Sequence, residues 1–332
     1  MTAAAPYPWL EDAWRLLMAR QASGRLPHGW LFTGPAGIGK RALARAFCQA
    51  IQCESPLEHG AACGQCHGCR MWRAGAHPDL TELTISEDKT RISVEQVREL
   101  RDFMSLSSSH GPCRMAIVWP ADAMTENAAN SLLKTLEEPP GAALLILVSA
   151  TPSRLPATIR SRCQQIKSGP PSRHQCVSWL AGAIPDHSVE DLDGLLALGH
   201  GAPLRALELA EQKALAQWRN QLETLLAFLQ GRKGVVELSD QWYKDPLDVL
   251  LDRLQVLVAD AIRWHMASGA GTALSGIASG KDLQALTRRL DLEACFIFQD
   301  RFPEWRRLSD TPINPQVLLE DVLVTLRGLS QN

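Results

Sequence analysis

Gly34-Pro35-Ala36-Gly37-Ile38-Gly39-Lys40-Arg41 decides how the chain is read. A short apolar run, 29–33, precedes it and a helical pattern, 42–51, follows. Strand, glycine-rich turn and helix, in that order, are the setting of a phosphate-binding P-loop, G-x-x-x-x-G-K-[ST]. Gly34, Gly39 and Lys40 match the pattern, Gly37 belongs to the same loop, and Arg41 stands where Ser or Thr is required. In a working loop the backbone N–H groups turn inward and cradle phosphate at the positive end of the helix. Lys40 would reach the β- and γ-phosphates, and the missing hydroxyl would ligate Mg2+. An arginine cannot replace it, because its guanidinium carries donors only and a fixed positive charge. A glycine-rich turn that holds no ligand is compatible with the same residues.

A second acidic element tests the loop. Residues 114–119 read as a buried strand, and a nucleotide-hydrolysing site needs carboxylates at its end for metal and water. Trp119 and Pro120 occupy those positions, and Asp122 follows too late by three residues. Two metal-handling positions are lost together, so the expectation is a nucleotide site that no longer hydrolyses.

Outward from the loop, further short apolar runs at 79–83 and 143–149 alternate with helical patterns. That alternation marks an α/β domain around a parallel sheet, whose strands are apolar on both faces. After a turn at 168–172 the pattern is helical. Leucines flank a break at 199–203, and the segment 245–266 repeats apolar residues at the spacing of one helix face. Pro246 is expected in the first turn of that helix. Residues 267–280 are rich in Gly, Ser and Ala and read as a flexible connection. A last amphipathic helix follows Pro315.

The chain has 332 residues, and a prior of about 150 per domain suggests two or three domains. Hydrophobic residues make up 45%, and 34 Lys and Arg against 36 Asp and Glu give a net charge of −2. That balance excludes whole-chain disorder and a basic nucleic-acid coat. The longest charge-free apolar run, 142–150, is far too short for a bilayer, which needs roughly 18–20 residues. The N-terminus has no basic region before Glu11 and Asp12, so no signal peptide is expected and the compartment is expected to be the cytoplasm.

Cys53, Cys63, Cys66 and Cys69 bring four of the nine cysteines within 17 residues. Two overlapping C-x-x-C steps suit tetrahedral Zn2+, and a closed set of four thiolates makes a structural rather than catalytic site. Gly60, Gly64 and Gly68 supply tight turns. His59 and His67 are alternative ligands, but four thiols already complete the shell. Cys48, Cys113, Cys163, Cys176 and Cys295 are expected as buried packing residues.

Thr125 caps a helix that runs to a Pro139-Pro140 stop. Ala129, Leu132, Leu133 and Leu136 form its apolar stripe, with Lys134, Glu137 and Glu138 towards the other side. Further on, Arg154, Arg160 and Arg162 fall within nine residues beside Ser161. Composition alone reads these as a solvated basic turn. The alternative is an arginine finger given to a neighbouring subunit's γ-phosphate, for which a permanently charged fork is suited.

Together these residues resemble the delta-prime family of bacterial DNA polymerase III clamp-loader subunits. The P-loop, the C-x-x-C-x-x-C segment, AGAHPD (74–79), NSLLKTLEEPP (130–140) and LPATIRSRC (155–163) carry the resemblance, which is dense over 28–163. LLKTLEEPP and SRC also occur in the gamma/tau motor subunits. The motors keep the hydroxyl and the acidic pair, which Arg41, Trp119 and Pro120 replace here. The motors' second sensor arginine falls on Leu204; Arg205 is one position off.

The resemblance implies an AAA+ α/β domain over 1–166, with a zinc module at 53–69 inserted. It implies a helical lid over 167–210 and an all-α collar over 211–332. It implies a hetero-pentamer with gamma/tau and delta subunits that opens a sliding clamp and places it on primed DNA, using ATP bound on the motor subunits. Arg162, with Ser161 in the SRC motif, would complete the neighbouring motor's ATP site, and this subunit would be a stator without catalysis of its own. An autonomous P-loop ATPase is the main alternative, motivated by Gly34, Gly39 and Lys40. A zinc-dependent DNA-binding regulator is weaker, since neither a recognition helix nor a basic footprint is visible.

Overall fold

The computed structural model describes residues 6–24, 26–267, 275–309 and 311–330. Residues up to Gln175 form one compact unit and residues from Cys176 onward a second.

In the first unit, α1 (Glu11–Ala22) precedes strand β1 (Gly29–Thr33), and α2 (Lys40–Ile51) leaves the glycine loop. Then come α3 (His67–Arg73), β2 (Leu80–Leu83), α4 (Val94–Ser105), β3 (Arg114–Val118) and α5 (Glu126–Glu137). The unit closes with β4 (Ala143–Ser149), α6 (Ala157–Arg162) and β5 (Gln164–Lys167). The five strands pair in the order β2-β3-β4-β1-β5, every pair parallel.

The three inner strands, β1, β3 and β4, are buried throughout because the sheet is covered there on both faces, and successive side chains alternate between them. Trp30 and Phe32 of β1, Met115 and Ile117 of β3, and Leu144, Ile146 and Val148 of β4 share one core with Trp14, Leu17, Leu43 and Phe47 of α1 and α2. The intervening Leu31, Ala116, Val118, Leu145 and Leu147 share the other with Val97, Leu132, Leu136 and Ile159 of α4, α5 and α6. The P-loop helix and the arginine-bearing helix thus lie on opposite faces of one sheet.

Three sequence expectations shift. The second strand begins at Leu80, with Asp79 just before it, and the third ends at Val118, before Trp119. The fifth strand was not expected; only its Ile166 is buried, as befits an edge.

The second unit is wholly helical. It comprises α7 (Arg173–Ala183), which begins at the boundary, α8 (Val189–Leu198), α9 (Pro203–Glu211), α10 (Ala214–Leu229), α11 (Val235–Trp242), α12 (Leu247–Met266), α13 (Gly280–Thr287), α14 (Leu292–Ser309) and α15 (Pro315–Gly328). One apolar core runs through it from Cys176 to Leu326 and includes Trp218, Trp242 and Trp305. Pro246 caps α12 instead of lying in its first turn, since its ψ of 126° is extended. Of the Gly/Ser/Ala-rich connection, residues 268–274 lie outside the described residues, as do 1–5 of the N-terminus. Beyond the connection, the backbone N–H of Ser275 donates to the fully buried Asp260 carboxylate at 3.1 Å. Among the described residues no helix is long and apolar enough to cross a membrane.

Asp79 ties the β2–β3 edge together. It is fully buried and accepts the backbone N–H groups of Ser109 (2.6 Å), His110 (2.7 Å) and Gly111 (2.9 Å). Burial pushes its pKa up, but these three donors and Arg114 outweigh it, and the net shift is downward. A carboxyl depressed on folding stabilises above its unfolded pKa, and that contribution is lost as pH falls through the folded value. Asp79→Asn is expected to lower unfolding free energy by about 2–3 kcal/mol, the scale of a buried charged acceptor. It should also flatten the loss of stability below about pH 4, as measured by urea titration across pH.

Candidate functional site: a filled phosphate loop, an arginine edge and a thiol cluster

The glycine loop leaves the carboxyl end of β1, where ligands bind in open parallel sheets. Gly34, Gly37 and Gly39 all have positive φ (144°, 70° and 88°), which a side chain would strain. Two of them are also closely approached. A Cβ at Gly34 would lie 2.1 Å from the Ser168 carbonyl oxygen, and one at Gly39 would lie 2.3 Å from the Tyr7 ring. Tyr7 stacks on Trp9 with ring centroids 5.2 Å apart, and the Trp9 indole N–H donates to the Ile38 carbonyl at 2.8 Å. The segment entering α1 therefore lies against the loop.

Lys40 is buried and folds back over the loop, its ammonium donating to the carbonyls of Gly34 (2.7 Å) and Pro35 (2.5 Å). Burial pulls its pKa down to about 8, and the Asp122 carboxylate acts in the opposite direction. Asp122, displaced from the strand end, accepts the Ala150 backbone N–H at 3.1 Å.

The two positions that break the nucleotide-hydrolysis pattern are in contact. The Arg41 guanidinium lies 4.6 Å from the centroid of the Trp119 ring. It also donates to Glu82 Oε2 through Nε (3.1 Å) and Nη2 (2.7 Å). Arg45, one turn later on α2, takes the other oxygen of Glu82 at 2.6 Å and faces Trp72, 5.9 Å from its ring centroid. The Arg41 guanidinium and the Trp119 indole stand where a hydroxyl and the first of an acidic pair would hold magnesium, with Glu82 holding the guanidinium in place. These residues do not fit a magnesium–nucleotide site. Glu82 had no signal in the sequence, because its partners are 41 and 37 positions away.

On the opposite face of the sheet, α6 carries Ser161 and Arg162. Ser161 is exposed, and its hydroxyl donates to the Thr158 carbonyl at 3.1 Å. Arg162 Nη1 donates to the same carbonyl at 3.0 Å. Its Nη2 pairs with Glu137 Oε1, at the end of α5, at 2.6 Å. Arg160, half-buried in the same helix, and Arg154, exposed in the turn before it, complete the trio. Arg205, in α9, pairs with Glu208 on the surface of the second unit.

The four cysteines of the loop after α2 and the start of α3 converge. Ligand atoms of Cys53, Cys63, Cys66 and Cys69 all lie within 4.8 Å of one another, and Cys53 Sγ is 3.9 Å from Cys66 Sγ. Tetrahedral Zn–S bonds of about 2.3 Å would put sulfurs about 3.8 Å apart, so the donor set fits that metal. Backbone N–H groups aim at the sulfurs: Cys63 at Cys53 (3.2 Å), Cys66 at Cys63 (3.3 Å) and Cys69 at Cys66 (3.4 Å). Donors from Gln65 and Cys66 lower the Cys63 thiol to about 6, whereas burial raises Cys69 to about 12. The group that could hold a metal includes neither His59 nor His67. The His59 carbonyl accepts the Trp14 indole N–H at 3.1 Å, and the His67 ring meets that of His110 at 5.0 Å. Glu54 fastens the cluster to the sheet edge, accepting the Gly68 N–H at 3.2 Å and lying 3.0 Å from His110 Nε2. The remaining cysteines, 48, 113, 163, 176 and 295, are all buried, as packing residues should be.

Comparison with known proteins gives a consistent set of similarities. Residues 9–171 match the family model described as DNA polymerase III, delta subunit. The chain is 36% identical to DNA polymerase III subunit delta' of Pseudomonas aeruginosa over 328 residues, 97% of this chain and 98% of that one. It is 31% identical to subunit delta' of Escherichia coli, covering 98% and 96% of the two chains. Subunit tau of Escherichia coli is 32% identical over 205 residues, which is 60% of this chain and 31% of tau. Among solved structures, a gamma subunit-related protein of DNA polymerase III from Thermotoga maritima superposes with a TM-score of 0.50 at 17% identity, covering 94% and 99% of the chains. That likeness concerns the fold alone.

Lys40 gives the loop a pH signature. Its folded-state pKa of about 8 lies below the unfolded value of about 10.4. Between the two the unfolded chain binds more protons, so stability contributed at this site rises as pH goes from about 8 to 10. Chemical denaturation across that range should show the rise in the native chain and a smaller one in Lys40→Met. An equal slope in both would contradict the burial of this ammonium.

Proposed function

The chain belongs to the DNA polymerase III delta' family, and from that premise we propose that it is an ATPase-inactive stator of a clamp loader. In this reading it joins gamma/tau and delta subunits in a hetero-pentamer in the cytoplasm and helps place a sliding clamp on primed DNA. It hydrolyses nothing itself. Residues 1–166 correspond to an AAA+ domain with a zinc module inserted at 53–69. The segment 167–210 corresponds to a lid and 211–332 to an oligomerising collar.

The observation that carries the reading is the contact of Arg41 with Trp119 and Glu82. Magnesium needs oxygen ligands, and a guanidinium in that place repels it. The self-bonded Lys40 adds to this, because its ammonium already has two carbonyl acceptors. What the subunit keeps is Arg162, in the SRC motif beside Ser161, on the face away from the loop helix. A guanidinium delivered to a neighbour's γ-phosphate neutralises charge that develops during transfer. ATP therefore sits on the motor subunits.

The autonomous-ATPase reading draws on the loop glycines and Lys40, and one assay separates the two. The lone chain should hydrolyse no ATP above background. In a complex reconstituted with motor and delta subunits, Arg162→Ala should slow hydrolysis at the served site by about 10³-fold or more, seen as a drop in steady-state turnover. ATP turnover by the lone chain that Lys40→Ala removes would overturn the stator reading.

Zinc at Cys53, Cys63, Cys66 and Cys69 would act as a structural staple, because binding energy at such a site is folding energy. Elemental analysis should find one zinc per chain. Cys66→Ser or a strong chelator should remove it and lower the melting temperature of the first unit, with the second unit's transition unchanged.

A further inference from the structure

Arg162 does not reach out alone. Its two terminal nitrogens are held from two directions, by the Thr158 carbonyl of its own helix (3.0 Å) and by Glu137 of α5 (2.6 Å). The Glu137 side chain is itself on a fixed platform. The carbonyl of the preceding residue, Leu136, lies 2.9 Å from His28 Nε2, just before β1. Leu136 is buried in the core that also holds Ile159 of α6. At the first residue of β1, a Cβ on Gly29 would meet Leu136 Cδ2 at 2.8 Å and the Arg162 carbonyl oxygen at 3.4 Å. The end of α5, the end of α6 and the start of β1 are thus packed without room to slide.

We propose that Glu137 is a positioning residue that presets the Arg162 guanidinium for the ATP site of a neighbouring subunit. The proposal rests on Arg162 being the group supplied to that site.

A guanidinium has five N–H donors. Glu137 and Thr158 use one each, which leaves three for an acceptor on another molecule, and the Arg162 side chain is 37% exposed. A free arginine carries large rotamer entropy, which must be lost when it meets phosphate. Glu137 removes much of that loss beforehand by selecting the rotamer, and preset geometry of this kind raises turnover more than it changes ground-state binding. The carboxylate is half-exposed, so the effect is that of a surface ion pair rather than a buried one.

The test uses the reconstituted complex with Glu137→Ala, Glu137→Gln, Arg162→Ala and the double variant Glu137→Ala/Arg162→Ala. Glu137→Ala is expected to lower kcat for ATP about two- to fivefold, the scale of an exposed ion pair, with KM for ATP unchanged. Glu137→Gln, which keeps an acceptor oxygen without the charge, should fall between it and the native chain. In the Arg162→Ala background, Glu137→Ala should have no further effect, because the residue acts only through that guanidinium. Melting curves check that the variants fold; an unchanged melting temperature with a lowered kcat separates positioning from stability.

Native kcat in both single Glu137 variants, with Arg162→Ala still impaired, would overturn the positioning role and leave the stator reading intact. A Glu137→Ala loss that persists in full in the Arg162→Ala background would overturn it as well. No effect from Arg162→Ala would instead overturn the stator reading on which the proposal stands.

Discussion

One guanidinium, that of Arg41, lies between a carboxylate and an indole, and the character of the loop follows from it. Each contact is modest: about 0.5–1 kcal/mol for a cation over an exposed aromatic ring and no more for a partly exposed ion pair. Their importance is positional. Read in sequence, a missing hydroxyl at position 41 and a missing acid at position 119 are two independent departures. In space they are one contact, completed by Glu82 and extended by Arg45 and Trp72. A magnesium ion would have to displace a charge of its own sign from a place where that charge is satisfied.

The same first unit shows how a short helix can serve two neighbours. The residues leading into α1 pack on the glycine loop through Tyr7 and Trp9. Trp14, a turn into the helix, donates to His59 of the cysteine loop. Met18 lies so close to Gly60 that a Cβ there would be 2.3 Å from its sulfur. The thiol cluster is also tied to the sheet edge through Glu54, His110 and the backbone turn that Asp79 gathers. It is thus braced on two sides.

Much of the fold was legible. The buried strands announce themselves as apolar runs, the loop by its glycines, the thiol cluster by its spacing, and α5 by its Thr125 cap and double-proline stop. The edge strand β5 was missed for a physical reason: Gln164 and Lys167 are exposed and Gln165 is half-buried, so no apolar run marks it. Asp79 was visible only as a letter in a motif. Its work, collecting three backbone donors from residues about 30 positions on, is a property of the folded chain. Glu137 read as a solvated residue at a helix end, since its partner lies 25 positions away across a strand. Arg162 was legible through the SRC motif, but what holds it was not.

Gly34 and Gly39 show that packing alone can demand a motif's glycines. One is kept small by the Ser168 carbonyl and the other by an aromatic ring, and neither neighbour has anything to do with phosphate. Each glycine is therefore required by steric fit, whatever the loop binds. The glycines of such a signature report backbone geometry, and counting them says little about whether position 41 can serve a metal.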